Sequence, residues 1–381
     1  MTQVGESVNM SLPGPEDQEK TLAVEVVTIK HKNGYTVANN KAKVNGNNWP
    51  APQYMGQYSS APIVAKIGEA LTLELSVKVE SENVSGNGKL LTNFLGLNFE
   101  GSIPLSSGTH TVEATLQNPE SGLMWYKGNC SWGVEGGGVC VLSGSVFLEM
   151  FFVFDDPSAF DFFKSTGVWA EALRYLFTNN SAFARETVPQ DAVVKVTQTC
   201  FGIRYHKYEI TQGEARYGGA TGTFELNRYM APSYGFVNCY DQSYAVTVFC
   251  GALGIDVPGL YLRPFGYINT TNLVGWGNCN NPFPSGKFNT VVRSGITGVR
   301  PENFLQVGIN DPDRSGFGNH MFCEFSGKIF DACAGSYDGV GDRAAYVTAV
   351  IDSTTRLAGR RGTASGIVTN ASLGGEVKSV S

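Results

Sequence analysis

The ten residues from Leu71 to Glu80, LTLELSVKVE, place an apolar side chain at every second position. Successive side chains of a strand point to opposite faces, so this pattern fits a strand with one buried face. Leu22, Val24 and Val26 alternate in the same way, and the strand pattern continues through Val139 to Phe154, which includes SVFLEMFFVF. The stretches NGNN, SGNG and SSGT stand between these segments as turns. Residues 21–155 are therefore read as an all-β sandwich. Residues 1–20, polar and carrying Pro13 and Pro15, form a loose lead-in. The expected role of the sandwich is structural or partner-facing.

At Asp155 to Phe160, DDPSAF, the period changes, and Asp156 before Pro157 is a good helix start. Phe160, Phe163, Val168, Trp169, Leu173 and Leu176 recur at helical spacing. A second helix is expected from Pro189, with Val193, Val194, Val196 and Cys200 inward. RYHKYEI and TGTFELNRYMAP read as short irregular or extended pieces. The segment Gly235 to Ile255 follows, and then LYLRPF, NHMFCEF, KIFDAC and AAYVTAVID read as strands. Residues 156–381 are thus helices first and strands after, an α+β layout.

A chain of 381 residues fits two or three domains, and 42% apolar residues allow a sizeable core. With 46 glycines and only 16% charged residues, it is a turn-rich globular chain. The net charge of -6 and the lack of a basic tract, the densest cluster being Arg356, Arg360 and Arg361, disfavour nucleic acid as a partner. The N-terminus lacks the apolar core of a signal peptide. The longest apolar run, Val146 to Phe154, is broken by Glu149 and too short to span a bilayer. No membrane partner and a cytoplasmic location are the expectations. Eight scattered cysteines suit a reduced protein at least as well as a secreted, disulfide-linked one, in which Cys130 and Cys140 would bridge a glycine-rich loop. Asn-X-Ser/Thr sequons at Asn83, Asn129, Asn179, Asn269 and Asn370 are of the number chance provides.

In GFVNCYDQSYAVTVFCGALGI, Asn238 reads as a helix N-cap and Cys239 as the first helical residue. Gln242, Ala245, Val246, Phe249, Cys250 and Leu253 then form one stripe, and Gly254 ends the helix. Cys250 belongs to that stripe and reads as a small core residue. Cys239 sits where backbone N–H groups lack partners and the helix dipole is positive, which favours thiolate over thiol. The plain alternative is a cysteine that happens to begin a helix.

A thiol nucleophile needs a base, and the base an orienting group. Of four histidines, His31 and His110 lie in the β region and His206, flanked by charges, reads as exposed. His320 lies in NHMFCEFSGKIFDAC, a hairpin with Ser326-Gly327 as its turn. With that two-residue loop Phe325 faces Lys328, Phe322 faces Asp331, and His320 faces Cys333. His320 and Asp331 then become diagonal neighbours on one face. The carboxylate could fix the imidazole tautomer.

The order of helix-mouth Cys239, strand His320 and Asp331 on the next strand resembles the transglutaminase-like branch of the papain-type cysteine enzymes. The matching stretches are NCYDQSYAVTVFCGALGI, with its Leu253-Gly254-Ile255 ending, and NHMFCEFSGKIFDAC, preceded by the helical PQDAVVKVTQTCFGIRY. The resemblance covers about residues 165–350. It implies an α+β core of helices plus antiparallel sheet behind the N-terminal sandwich. The chain departs from the family at Val237-Asn238-Cys239, at Phe322 as the aromatic after the histidine, and in a short loop between His320 and Asp331.

By this resemblance Cys239, His320 and Asp331 form a catalytic triad acting on an amide or acyl carbonyl through a thioester, with no cofactor. The substrate would be a peptide, a protein or a small molecule, and the second acceptor water or an amine. Asn238, Tyr234, Gln242 and Trp276 are weak oxyanion or substrate-binding candidates. Tyr234, Phe236, Tyr240, Trp276 and Phe317 could wall the site, or simply pack. Asn272 to Phe288 is a candidate substrate loop. Cys279 and Cys333 are rival nucleophiles without a helix start.

No CxxC or HxxxH occurs, so no metal is expected, and NDPDRSG (Asn310 to Gly316) fails as an EF-hand loop. No GxGxxG or Walker sequence sits at a strand-to-helix junction. The rival reading is a non-catalytic binding or structural protein that keeps the fold.

Overall fold

Alternating strands build a seven-stranded antiparallel sheet from β1 (Thr21–His31), β3 (Thr72–Glu82), β4 (Asn87–Phe94), β5 (Leu97–Pro104), β6 (Gly108–Leu116), β8 (Gly133–Gly136) and β9 (Val139–Leu142). Their order is β1-β3-β6-β5-β4-β8-β9. Strand β3 shows why: Leu73, Leu75, Val77 and Val79 are buried on one face, while Glu74, Ser76 and Lys78 lie on the other. A second sheet holds β2 (Ile63–Lys66), β7 (Met124–Cys130) and β10 (Val146–Val153), in the order β7-β10-β2. This computed structural model describes residues 19–35, 37–38, 54–55, 58–59, 62–164, 167–218, 224–232, 235–263, 265–284, 298–335, 337–339, 341–354 and 367–369. The lead-in up to residue 18, the NGNN turn, Tyr234, the Arg356, Arg360 and Arg361 cluster, Asn370, and residues 285–288 of the candidate loop lie outside them.

Strand β10 lies between two hydrophobic cores. Its Leu148, Met150 and Phe152 join the core shared with the seven-stranded sheet, and its Phe151 and Val153 join a second core with the helices. Burial on both faces explains why SVFLEMFFVF reads as a nearly continuous apolar run. Its one charge, Glu149, is 6% exposed and accepts from Trp125 Nε1 at 2.9 Å and from the Arg174 guanidinium.

The second core packs around α3 (Cys239–Ala252), with α1 (Ala170–Asn179) and α2 (Pro189–Phe201) against it. The expected stripe on α3 becomes burial all round, since only Tyr240 and Thr247 keep partial exposure. A helix buried on every face is a central helix. It ends in a Schellman motif: Ile255 N–H donates to Cys250 O at 2.9 Å and Gly254 N–H to Gly251 O at 3.0 Å. Gly254 has φ +77°, and a Cβ there would come within 2.2–2.5 Å of the Asp155 backbone. Both the left-handed turn and the close approach require glycine.

A five-stranded sheet covers the far side of α3, in the order β14-β13-β12-β11-β15. Its members are β11 (Gly259–Leu262), β12 (His320–Phe325), β13 (Lys328–Asp331), β14 (Tyr337–Asp338) and β15 (Ile367–Thr369). The molecule is mixed, strand-rich and dominated by antiparallel sheets, compatible with α+β.

Two local expectations are corrected. AAYVTAVID lies mainly in helix α4 (Arg343–Val350), capped by Asp342, whose carboxylate accepts from Ala345 N–H at 2.9 Å. An N-cap overrides the β-propensity of a short valine-bearing run. His206 is fully buried, ringed by Tyr205, Tyr217 and Tyr229, although charges flank it in sequence. Among the described residues no helix is long and apolar enough to cross a membrane. All eight cysteines are free thiols, so no bridge joins buried Cys130 to exposed Cys140.

Candidate active site

The chain enters α3 through Phe236–Val237, which pairs in parallel with Lys207–Tyr208. Asn238 then caps the helix. Asp241 N–H donates to Asn238 Oδ1 at 3.1 Å, and Asn238 N–H donates to Asp241 Oδ2 at 3.0 Å. This reciprocal capping box takes two of the first backbone donors. The N–H groups of Cys239 and Tyr240 are the two it does not take. They stand at the positive end of the helix, around a thiol only 3% exposed.

Opposite lies the β12–β13 hairpin. Ser326 (φ 50°) and Gly327 (φ 74°) form the two-residue turn, and Phe325 pairs with Lys328. Positive φ at both central residues gives a turn whose twist matches the strands. His320 Nε2 and Asp331 Oδ2 are 2.8 Å apart, the residues being 0% and 1% exposed. Asp331 is itself held. Its Oδ1 accepts from the backbone N–H of Cys333 at 2.8 Å and of Ala334 at 3.2 Å, and its Oδ2 accepts from the Tyr346 hydroxyl at 2.7 Å.

With Nε2 engaged by Asp331, the imidazole presents Nδ1 elsewhere. That atom is buried and has no hydrogen-bond partner among the described residues. The Cys239 side chain is nevertheless near enough to favour the protonated ring by hydrogen bonding and by charge. Burial opposes a charged ring most strongly, but Asp331 and Cys239 together outweigh it and lift the His320 pKa from 6.5 to about 10. Phe317 stacks on the ring at 5.0 Å, and Phe265 lies at 4.7 Å.

The weaker candidates divide. Asn238 spends its side chain on the cap and on Gly213 O, to which its Nδ2 donates at 2.9 Å. Gln242 spends its amide wholly inside: Nε2 donates to Cys200 O at 3.1 Å and Ala332 O at 2.7 Å, while Oε1 accepts from the Tyr229 hydroxyl at 2.5 Å. Gln242 has no donor left for an oxyanion and acts as a strut, while Asn238 keeps one amide N–H beyond its bond to Gly213 O. Trp276 Nε1 donates to Tyr208 O at 2.8 Å, and Lys207 Nζ lies 4.8 Å over its ring. Of the candidate walls, Phe317 lies on the imidazole and Tyr240 flanks the thiol, whereas Phe236 is 48% exposed.

The rival thiols sit in unfavourable surroundings. Burial pushes the Cys279 thiol up to about 12 and the Cys333 thiol well above its ordinary value, where Asp331 adds like charge. A thiol held protonated is a poor nucleophile. Among the described residues no group of three or more His, Cys, Asp or Glu side chains is arranged to hold a metal ion.

Two residues escape a reading of the sequence. Tyr346 comes from α4, the segment expected as a strand. Tyr208 is 1% exposed, and its ionisation is suppressed by burial first and then by the neighbouring thiols of Cys239, Cys333 and Cys279. Its ring lies edge-on to Phe317 at 5.4 Å. Its hydroxyl makes no hydrogen bond among the described residues, which leaves a donor beside Cys239. The pairing of residues 207–208 with 236–237, which puts it there, has no local signature. Asp241 did have one, since Asn-x-x-Asp before an apolar run is a capping-box pattern.

No family model matches the chain, and no curated protein matches it. The functional reading rests on the geometry above.

Proposed function

We propose that this protein is a thiol-dependent acyl-transfer enzyme of the transglutaminase-like, papain-type class, acting on an amide or acyl carbonyl. The observation that carries the reading is the His320 imidazole, fixed through Nε2 on a buried, triply hydrogen-bonded Asp331 with a helix-mouth cysteine on its other side. His320 takes the thiol proton, and the Cys239 sulfur attacks the carbonyl carbon. The oxyanion that forms meets the N–H groups of Cys239 and Tyr240 and the Tyr208 hydroxyl. His320 returns the proton to the leaving amine, and the C–N bond breaks to give a thioester. Water or an amine then attacks with His320 as base, releasing acid or new amide and restoring the thiol. Asp331 holds the tautomer and balances the imidazolium. No step calls for a cofactor. The substrate class is a peptide, protein or small-molecule amide or acyl compound.

A p-nitrophenyl ester tests this. The wild-type chain should acquire an acyl group on Cys239, located by peptide mass spectrometry, and His320→Asn should acquire none at neutral pH. Equal labelling of the two proteins would overturn the triad. The competing reading, a binding or structural protein, draws on the near-complete burial of Cys239 and His320. Absence of acylation in the wild type would favour it.

A further inference from the structure

The segment from Glu209 to Gly218 is fastened in an unusual way. The Glu209 carboxylate accepts from the backbone N–H of Thr211 at 3.0 Å, Gln212 at 2.8 Å, Gly213 at 2.8 Å and Glu214 at 3.3 Å. The Asp241 carboxylate accepts from the N–H of Arg216 at 2.9 Å, Tyr217 at 2.9 Å and Gly218 at 2.7 Å, besides that of Asn238. From Thr211 to Gly218, every backbone N–H but that of Ala215 thus points at one of two carboxylates. Both are buried, Glu209 at 5% and Asp241 at 0% exposure. The segment's own apolar burial is confined to its two ends, Ile210 at 8% and Tyr217 at 3% exposure, and every residue from Thr211 to Arg216 is exposed or only partly buried. Between those two anchors, charge-assisted hydrogen bonds rather than packing hold it down.

Its position matters. Glu209 follows Tyr208, and Asp241 is two residues beyond Cys239. Asn238 Nδ2 ties the segment to the helix mouth through Gly213 O. At Gly213 (φ +70°) a Cβ would lie 2.8 Å from the Phe283 ring and 3.4 Å from the Tyr208 hydroxyl. Phe283 packs on Phe317, and Phe317 stacks on His320. One line of contacts therefore runs from this strap across Phe283 and Phe317 to the imidazole.

We propose that Glu209–Gly218 is the gate to the Cys239 site, latched by Glu209 and Asp241, which are positioning residues. It opens by release of its backbone from the carboxylates, and the rest of the fold stays closed. Segments with few buried apolar contacts open below the free energy of global unfolding. The gate stands whether or not Cys239 is catalytic, because its readout is access to the thiol.

The test is alkylation of the native full-length chain by iodoacetamide, with the rate read at each cysteine by mass spectrometry. Glu209→Gln and Asp241→Asn should each speed alkylation of Cys239 at least about tenfold, the scale of losing a hydrogen bond to a charged group. The buried Cys200, Cys250 and Cys323 should stay protected in both, which separates gate opening from general unfolding. Wild-type rates at Cys239 in folded variants would overturn the proposal. If a variant unfolds and exposes all four thiols, hydrogen exchange on the wild type decides. The amides of residues 211–218 should exchange together, well before those of α3 and β12. Exchange of both sets only by global unfolding would refute the gate.

Discussion

His320 Nε2 stands 2.8 Å from Asp331 Oδ2, and that same oxygen accepts from the Tyr346 hydroxyl at 2.7 Å. A hairpin supplies the pair, and a helix from the far end of the sheet holds it. Asp331→Asn should lower the rate of ester or amide turnover by about 10²–10⁴ at saturating substrate, the range of a mispositioned general base. Tyr346→Phe keeps the ring in place and should lower it far less. Steady-state kcat for the two variants checks the order.

Tyr208→Phe removes one hydroxyl beside Cys239 and almost no volume. If it serves the oxyanion, kcat should fall by about 10²-fold while alkylation of Cys239 by iodoacetamide stays near the wild-type rate. A parallel fall in both would mean that the residue acts only on the thiol.

Gln242→Ala strands the Tyr229 hydroxyl and the carbonyls of Cys200 and Ala332 in the core. Buried groups left without partners cost about 1–3 kcal/mol each, partly relieved by relaxation. Urea denaturation should therefore show a loss of about 3 kcal/mol or more, and Gln242→Glu, which loses the donor, should not restore it.

The pKa of His320 is raised from 6.5 to about 10, burial opposing and Asp331 and Cys239 prevailing. A base whose folded pKa lies above its unfolded value stabilises fully below the unfolded value. That contribution is lost as pH rises from about 6.5 towards 10. Thermal melts from pH 6 to pH 10 should fall over this window, and His320→Asn should flatten the slope.

The opposite sign holds for His206. Burial lowers its pKa to about 4 against a weaker pull from its bond to Tyr229 O. Its contribution is present above 6.5 and lost as pH falls towards 4. Melts between pH 7 and pH 4 should show the loss, and His206→Gln should reduce it.

Much of this architecture was legible because the signals act over a few residues. Alternation in LTLELSVKVE gave β3, Asn238 and Gly254 bracketed α3, and Ser326-Gly327 set a register that brings His320 to Asp331, 11 residues away. Misreadings came where tertiary contacts overrode flanking charges and where a local cap outweighed β-propensity. His206 is buried by three tyrosine rings, and the run holding Tyr346 became a helix on the strength of one cap.

The sequence by itself determined many of the elements and singled out Cys239, His320 and Asp331 as candidates, because caps, turns and side-chain periodicity are properties of neighbours along the chain. Only the tertiary structure decided what surrounds them. Gln242 reaches Ala332 across 90 residues, Tyr208 meets Cys239 through a two-residue strand pair, and two carboxylates collect seven N–H groups of one strap. Such contacts depend on which surfaces the buried α3 brings together, and no periodicity along the chain encodes that.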